Sequence, residues 1–346
     1  MVITENAPAI TGIGGFLGEN KLTNQDLIDI TFIDSSDEAI RRLTGIESRH
    51  WAAENTYASD MAMAAAECAL RMARVSVDDI ASISLTTLTQ DFVGPFTGTE
   101  VHRRLGAPEN CRTVELMTAC AGGVAALRDA ASELLLNPNA QAALAIGSEK
   151  MSAMLNDDDR RSVILFGDGA GAAVLQRVGF AEAPVFSFAT RPDREAIYAP
   201  AGGVVEPGRS ADDPRRKLRM NGKQVAAHAG YLMPKVLLDV VHKDGALNAE
   251  GSIDWDRYDV FIPHQANGKM IEALWDALKV PEEKRILTVD QQGNTSSASV
   301  LLALQAAYEK GMLQQEEGHG RVLMTSVGAG MIAAACAIDV KLPQYF

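Results

Sequence analysis

Three side chains far apart in the 346-residue sequence have the types and settings that nucleophilic acyl chemistry uses: Cys120, His264 and Asn294. Cys120 lies in TACAGG (residues 118–123), where a helix is expected to begin. The free N–H groups and partial positive charge of a helix start favour a thiolate there. The small neighbours Ala119, Ala121, Gly122 and Gly123 leave room for a thioester. A lone cysteine is more often an inert core residue. Cys68 in mid-helix, Cys111, and Cys336 in an apolar strand fit that description better than Cys120 does. His264 follows the apolar run DVFIP (259–263), at the carboxyl end of an expected strand, where α/β proteins commonly carry reactive groups. A neutral imidazole there can donate a hydrogen bond or move a proton, or it can satisfy a helix cap. Asn294, in QGNTSSAS (292–299), suits both a helix N-cap and a neutral amide donor aimed at developing negative charge.

Two glycine-rich segments sit near these residues in type. FGDGAGAA (166–173) has a dinucleotide-binding look, but its strand follows the glycines and no helix opens after them, so nicotinamide binding is rejected. SVGAG (326–330) offers backbone N–H groups at Gly328, Ala329 and Gly330 that could complete an oxyanion hole.

The elements that must position these groups alternate between strand and helix. Residues 80–88 and 140–147 read as strands, and residues 59–74 and 120–136 as Ala-rich helices, which is α/β patterning with a largely buried sheet. The order of a reactive-type residue, small residues and a long Ala/Leu helix occurs at residue 120 and again at residue 294. Each copy closes on a glycine turn entering an apolar run, GAGAAVL (169–175) and GAGMIAA (328–334). Two related halves, 1–176 and 177–346, joined near residues 177–183, account for this recurrence. Residues 191–221, rich in Gly, Pro and charge, read as a long loop or lid.

Composition bounds the function. The chain is 47% hydrophobic and 22% charged, within the range of globular proteins, and no run approaches a membrane span. No secretory leader is expected at the N-terminus. A net charge of −13 argues against a nucleic-acid partner. The one basic cluster, RRKLR (215–219) with Lys223 behind it, is either a solvated loop or a docking patch for an acidic partner. The four cysteines show no CxxC spacing, so neither a metal site nor a redox dithiol is expected, and a reducing cytoplasm is the expected setting.

Taken together, the chain resembles the β-ketoacyl–acyl-carrier-protein synthase III family of the thiolase superfamily. The resemblance rests on LTGI (43–46), the Cys120 motif, ILFGDGAGAAVL (164–175), MNGKQV (220–225), IPHQAN (262–267) and GNTSSAS (293–299). It implies a five-layered α-β-α-β-α thiolase fold of two duplicated halves, in a homodimer without a cofactor. Coenzyme A or phosphopantetheine thioesters would be the substrates, with an acyl carrier protein as partner. Cys120 would take an acyl group. His264 and Asn294 would stabilise the carbanion of a malonyl-type or β-ketoacyl thioester, and the N–H of Cys120 with one from the 328–330 turn would hold the oxyanion. The same resemblance places Asn267 near the pantetheine, Arg160 against the adenine, and Lys269 at a carrier-docking position usually held by arginine.

Three departures concern the substrate. Residues 37–44 lack the family's adenine-stacking tryptophan, and Leu43 replaces a basic residue. Met331 stands where aromatic residues are usual. Gly94 stands where a phenylalanine usually floors the acyl pocket across the dimer, with Phe92 and Phe96 close by. These favour a longer or bulkier acyl group and point away from fatty-acid initiation toward specialised polyketide-type chemistry, within a family whose resemblance implies fatty-acid or specialised polyketide-type biosynthesis. Alternatives are acyl transfer to a hydroxyl or amine, which the intact Asn294 disfavours, and a non-catalytic subunit, which the intact Cys120 disfavours. Cyclisation of the product would need a carboxylate such as Asp91, Glu100 or Glu115 near the pocket.

Overall fold

A computed structural model of the chain describes residues 6–156, 159–199, 217–313 and 320–343. The frame elements are numbered in chain order. In the first half they are β1 (Asn6–Leu17), α1 (Ala58–Ala73), β2 (Ile80–Thr86), α2 (Thr97–Leu105), β3 (Arg112–Leu116), α3 (Gly122–Leu136), β4 (Ala142–Glu149) and β5 (Gly169–Gly179). In the second they are β6 (Val185–Thr190), α4 (Gly222–Lys243), β7 (Val260–Pro263), α5 (Gly268–Leu278), α6 (Ser299–Glu309), β8 (Gly320–Gly328) and β9 (Ile332–Val340).

The strands of the first half pair in the order β3-β2-β4-β5-β1, and those of the second in the order β7-β8-β9-β6. Pair for pair the hands agree. β2–β4 and β7–β8 are parallel, β4–β5 and β8–β9 antiparallel, and β5–β1 and β9–β6 antiparallel. A parallel bridge from Phe261 to Arg285 stands where β3 pairs with β2 in the first half. The two sets meet at one parallel pairing, Ile10 with Val340.

Burial shows why the sequence layers this way. Successive strand residues point to opposite faces. In β4, Ala143 and Ala145 join a core that also holds Val124 and Leu127 of α3, Val300 and Leu304 of α6, and Val322 and Met324 of β8. The alternate residues Leu144 and Ile146 instead pack with Met61 and Ala65 of α1. On the far side, Leu323 and Phe261 pack with Leu237 of α4 and Ile271 and Trp275 of α5. Helices α3 and α6 are thus sandwiched between two sheets, which explains their apolar character on most faces, and the layers run α-β-α-β-α.

Close approach at the centre requires glycine. A Cβ on Gly171 would lie 2.5 Å from Leu301 Cβ on α6, and one on Gly147 2.6 Å from the Ser297 carbonyl. Gly171 and Gly147 therefore seat α6 and the turn before it on the sheet.

The expected boundaries shift slightly. β5 continues to Gly179, beyond the expected division after residue 176. The flanks of the expected loop at 191–221 hold a small ribbon, Ile197–Tyr198 against Arg219–Met220. Of the basic cluster, Arg215 and Arg216 lie outside the described residues, and the Lys217 ammonium donates to the Ala153 carbonyl.

Candidate active site

Cys120 lies in a 3-10 turn, Ala119–Ala121, one step before α3. Ala119 holds a left-handed φ of 48°, which a non-glycine residue adopts only under tertiary constraint. The Cys120 carbonyl accepts from Ser326 Oγ at 2.6 Å, and its thiol donates to Ser296 Oγ at 3.5 Å. Gly328 packs so tightly here that a Cβ on it would lie 2.5 Å from the Cys120 nitrogen. The turn after Gly328 is braced: Asp193 N donates to the Gly330 carbonyl and Arg191 N to the Met331 carbonyl. Asp193 is in turn paired with His228 at 2.8 Å.

The expected ease of ionising Cys120 needs correction. The residue keeps some open surface, yet the atoms packed around its sulfur desolvate it. Burial, reinforced by the Glu149 carboxylate, pushes the thiol up to about 11 against a partial opposing effect of Ser296. A helix start close by does not outweigh burial beside a carboxylate. Cys111 and Cys336 are also raised, to about 11 and about 12, by burial.

His264 follows β7 directly, as its sequence setting predicts. It is buried, its N–H donates to the Thr325 carbonyl at 2.7 Å, and Nδ1 lies 2.6 Å from Ser299 Oγ at the start of α6. Burial lowers its pKa to about 3, so the imidazole is neutral at working pH. The sign of the stability effect follows. Because the folded pKa is below the unfolded one, His264 contributes stability above about pH 6.5 that is lost as pH falls toward 3. We expect His264→Asn to flatten this acid limb. Between pH 6.5 and 5 wild type loses about 1.6 kcal/mol more than the variant, the slope approaching about 1.4 kcal/mol per pH unit below the unfolded pKa. Urea unfolding at several pH values checks it; equal slopes would refute it.

Asn294 does not stand at a helix N-cap: Thr295 precedes the 3-10 turn Ser296–Ala298, and Ala298 precedes α6. The Asn294 Oδ1 accepts the Ser296 N–H at 2.9 Å, so the amide NH2 group is the end left to act as donor. Its backbone is tied on both sides, to the Leu165 carbonyl and the Gly167 N–H. The single turn from 294 to 299 therefore carries Asn294, touches Cys120 through Ser296, and touches His264 through Ser299.

The remaining expected residues lie further out. Asn267 caps α5, accepting from Lys269 N and Met270 N, and donates to the Leu43 carbonyl at 3.2 Å. Its side chain is thus a joint between the LTGI segment and α5. Arg160 is exposed and donates to the Asp34 carbonyl beside the exposed Phe32. Lys269 pairs with Glu272 at the surface. Phe92 and Phe96 are exposed, and a Cβ on Gly94 would meet nothing within 4 Å. The carboxylates weighed for cyclisation are occupied: Asp91 holds Ser59 N, Glu100 pairs with Arg103, and Glu115 holds Gly98 N.

Sequence reasoning missed Glu149, Ser296, Ser299 and Ser326. The hydroxyls sat inside quoted motifs, and a signal for Glu149 was available: a lone carboxylate closing the apolar strand AALAIGSE. In the described residues no helix is long and apolar enough to cross a membrane, and no cluster of His, Cys, Asp and Glu could hold a metal ion.

Comparison with known proteins agrees with this geometry. Residues 114–193 match the family described as 3-Oxoacyl-[acyl-carrier-protein (ACP)] synthase III, and residues 249–340 its C-terminal part. The Beta-ketoacyl-[acyl-carrier-protein] synthase III of Rickettsia typhi is 34% identical over 326 residues, 93% of this chain and 96% of that protein. The chain belongs to the 3-oxoacyl-[acyl-carrier-protein] synthase III family. The enzyme of the same name from Bradyrhizobium diazoefficiens is 36% identical, over 95% of this chain and 97% of its own. Among solved structures, the 3-oxoacyl-[acyl-carrier-protein] synthase III of Aquifex aeolicus superposes with a TM-score of 0.84 at 33% identity, covering 96% of this chain and 99% of that one. A priming β-ketosynthase of a polyketide biosynthetic pathway superposes with a TM-score of 0.82 at 29% identity, covering 99% of each chain. The protein is a condensing transferase of the thiolase fold.

Proposed function

We propose that Cys120 accepts an acyl group from a coenzyme A or carrier-protein thioester and that the enzyme then joins it to a malonyl-type or β-ketoacyl thioester. The observation that carries this is the 294–299 turn, which brings a fixed amide donor, a neutral histidine and the cysteine to one place. In the first step the Cys120 S–C bond forms and the donor C–S bond breaks, the departing thiolate taking a proton from water. In the second, His264 and the Asn294 amide hydrogen-bond to the carbonyl of the incoming thioester. With a malonyl-type thioester, negative charge gathers on that oxygen as carbon dioxide leaves. The carbanion attacks acyl-Cys120, and the Cys120 N–H with one from the Gly328, Ala329 and Gly330 turn receives the tetrahedral oxyanion. Donors of this kind act because the charge appears only on the way to the transition state.

The chain divides into two copies of one unit near residue 180, as the matched strand orders support. The molecule acts as a homodimer in the cytoplasm. Supporting this are the outer strand β3 and the exposed Phe92, Val93 and Met117 beside it, and four free thiols. In the dimer the 92–96 loop would floor the partner's acyl pocket. Gly94→Phe then cuts loading by long acyl groups tenfold or more relative to acetyl, a fraction of what filling a pocket this way can achieve. An unchanged chain-length profile would remove Gly94 from the pocket. Arg160 and Phe32 present a surface for an adenine, and Lys269 one for an acidic carrier.

Intact-protein mass spectra after mixing with acyl-coenzyme A and acyl-carrier thioesters, followed by a malonyl chase, test the function. A mass gain on Cys120 discharged by malonyl thioester with carbon dioxide release supports condensation. A gain discharged only by an alcohol or amine would make it an acyltransferase.

A further inference from the structure

Glu149 is a buried carboxylate that the condensation chemistry leaves without a role. It closes β4 at zero exposure, and among the described residues no lysine or arginine pairs with it. Instead, Leu88 N donates to Oε2 at 2.8 Å with Thr87 and Thr89 hydroxyls at 3.4 and 3.3 Å, while Ser297 and Ser296 hydroxyls donate to Oε1 at 2.7 and 3.2 Å. An ionised carboxylate without a counter-cation is costly to bury, and five donors offset only part of that cost.

Ser296 is the link that matters. It holds a left-handed φ of 51°, a conformation that costs free energy in a non-glycine residue and is kept only where surrounding structure imposes it. In that pose its hydroxyl accepts from the Cys120 thiol at 3.5 Å while donating to Glu149. The donors point one way along the chain, from sulfur to hydroxyl to carboxylate.

We propose that Glu149 stores the Cys120 proton, passed through the Ser296 hydroxyl, while the cysteine carries its acyl group. This rests on Cys120 being the acyl-carrying nucleophile. As the S–C bond forms, the thiol proton moves to Ser296 Oγ and the Ser296 proton moves to Glu149 Oε1, leaving a neutral carboxylic acid. When condensation releases Cys120 as thiolate, both protons return. The proton consumed by the departing donor thiolate comes from water, so the relay itself is closed. Glu149 acts through Ser296 and is a positioning residue.

The surroundings suit this role. Burial holds the Glu149 carboxyl up at about 7, so it can be ionised before attack and protonated after it. The charged neighbours are few. Cys120 faces it from the turn before α3. Lys150, next in the chain, turns its ammonium to the carbonyls of Ala53, Glu54 and Thr56, and Asp168 before β5 is held by Ser152 and Ala52. The 87–89 segment and the 296–297 turn bring hydroxyls and an N–H.

Iodoacetamide tests the relay without any acyl donor, because S–C bond formation again expels the thiol proton. The rate at Cys120 is read by peptide mass spectrometry between pH 5.5 and 10. Wild type should speed up as Glu149 ionises near pH 7. Ser296→Ala keeps the charge but breaks the chain, and Glu149→Gln removes the acceptor. Both should lose the limb near pH 7, slow on the order of 100-fold at pH 7.5, and be no slower when combined. If Glu149 merely opposed thiolate formation by its charge, Glu149→Gln would react faster, and that result would overturn the proposal, as would a wild-type profile in Ser296→Ala. Should Glu149→Gln not fold, Ser296→Ala alone decides. Wild type that shows the limb near pH 7 yet takes no acyl group from any thioester would refute the functional reading and leave the relay standing.

Discussion

Cys120→Ala should yield a folded protein that takes up no acyl group from any thioester. The substitution removes one sulfur and its weak bond to Ser296 and leaves the carbonyl bond from Ser326 in place. A stability change within about 2 kcal/mol is expected, the range for small truncations and lost hydrogen bonds. Activity should fall much further. Removing the nucleophile from a working catalytic group costs on the order of 10⁶-fold, because the remaining groups have no covalent intermediate to act on. Slow release of carbon dioxide from a malonyl thioester should persist, since His264 and Asn294 keep their partners. Intact-mass spectra and a carbon dioxide assay read the two effects separately. A persisting mass gain would show that another residue carries the acyl group.

Asn294→Ala should separate the two half-reactions. The Ser296 N–H loses its side-chain acceptor, but the backbone ties of residue 294 to Leu165 and Gly167 remain. Cys120 should still load. Condensation should fall about 10²- to 10³-fold, the usual cost of losing one donor to a developing oxyanion. Asn294→Asp should be worse at condensation than alanine. An aspartate can still accept the Ser296 N–H, yet it presents a carboxylate oxygen where the amide donor stood and repels the enolate oxygen. His264→Ala should resemble Asn294→Ala in loading normally and condensing poorly. Malonyl-chase kinetics on pre-acylated enzyme measure this directly. An Asn294→Ala enzyme that discharges its acyl group at the wild-type rate would exclude the donor role.

Much of the frame was legible from residues alone. Alternating strand and helix patterns located β2, β4, α1 and α3 to within two residues at their ends. The recurrence of a reactive-type residue before a long Ala/Leu helix foreshadowed α3 and α6, which lie side by side between the sheets. The placement of His264 just past β7 followed from its apolar run ending at a proline. An amide can accept with its oxygen and donate with its nitrogen, and the structure uses the Asn294 oxygen to hold the Ser296 N–H.

Other features were set by atoms remote in the chain. Folding brings the Leu43 carbonyl to the Asn267 amide and the start of α5 to its oxygen, contacts that its motif alone does not reveal. The acidity of Cys120 depends on Ser296, 176 residues away, and on the Glu149 carboxylate. The glycines of GDGAGAA have only a superficial dinucleotide-binding look, and the close approach of the Phe16 carbonyl to Gly169 and of Leu301 to Gly171 is visible only in the fold.

The sequence by itself therefore determined which chemical groups are available, which elements carry them and the α/β class of the fold. Hydropathy period, turn residues and side-chain chemistry are local properties. The tertiary structure alone decided how those groups behave. It buried His264 as a neutral ring, raised the Cys120 thiol, and set the buried, hydrogen-bonded Glu149 carboxylate behind Ser296. The reason is that desolvation and Coulomb interactions depend on distances between atoms, and those distances exist only once the chain has closed over residues far apart along it.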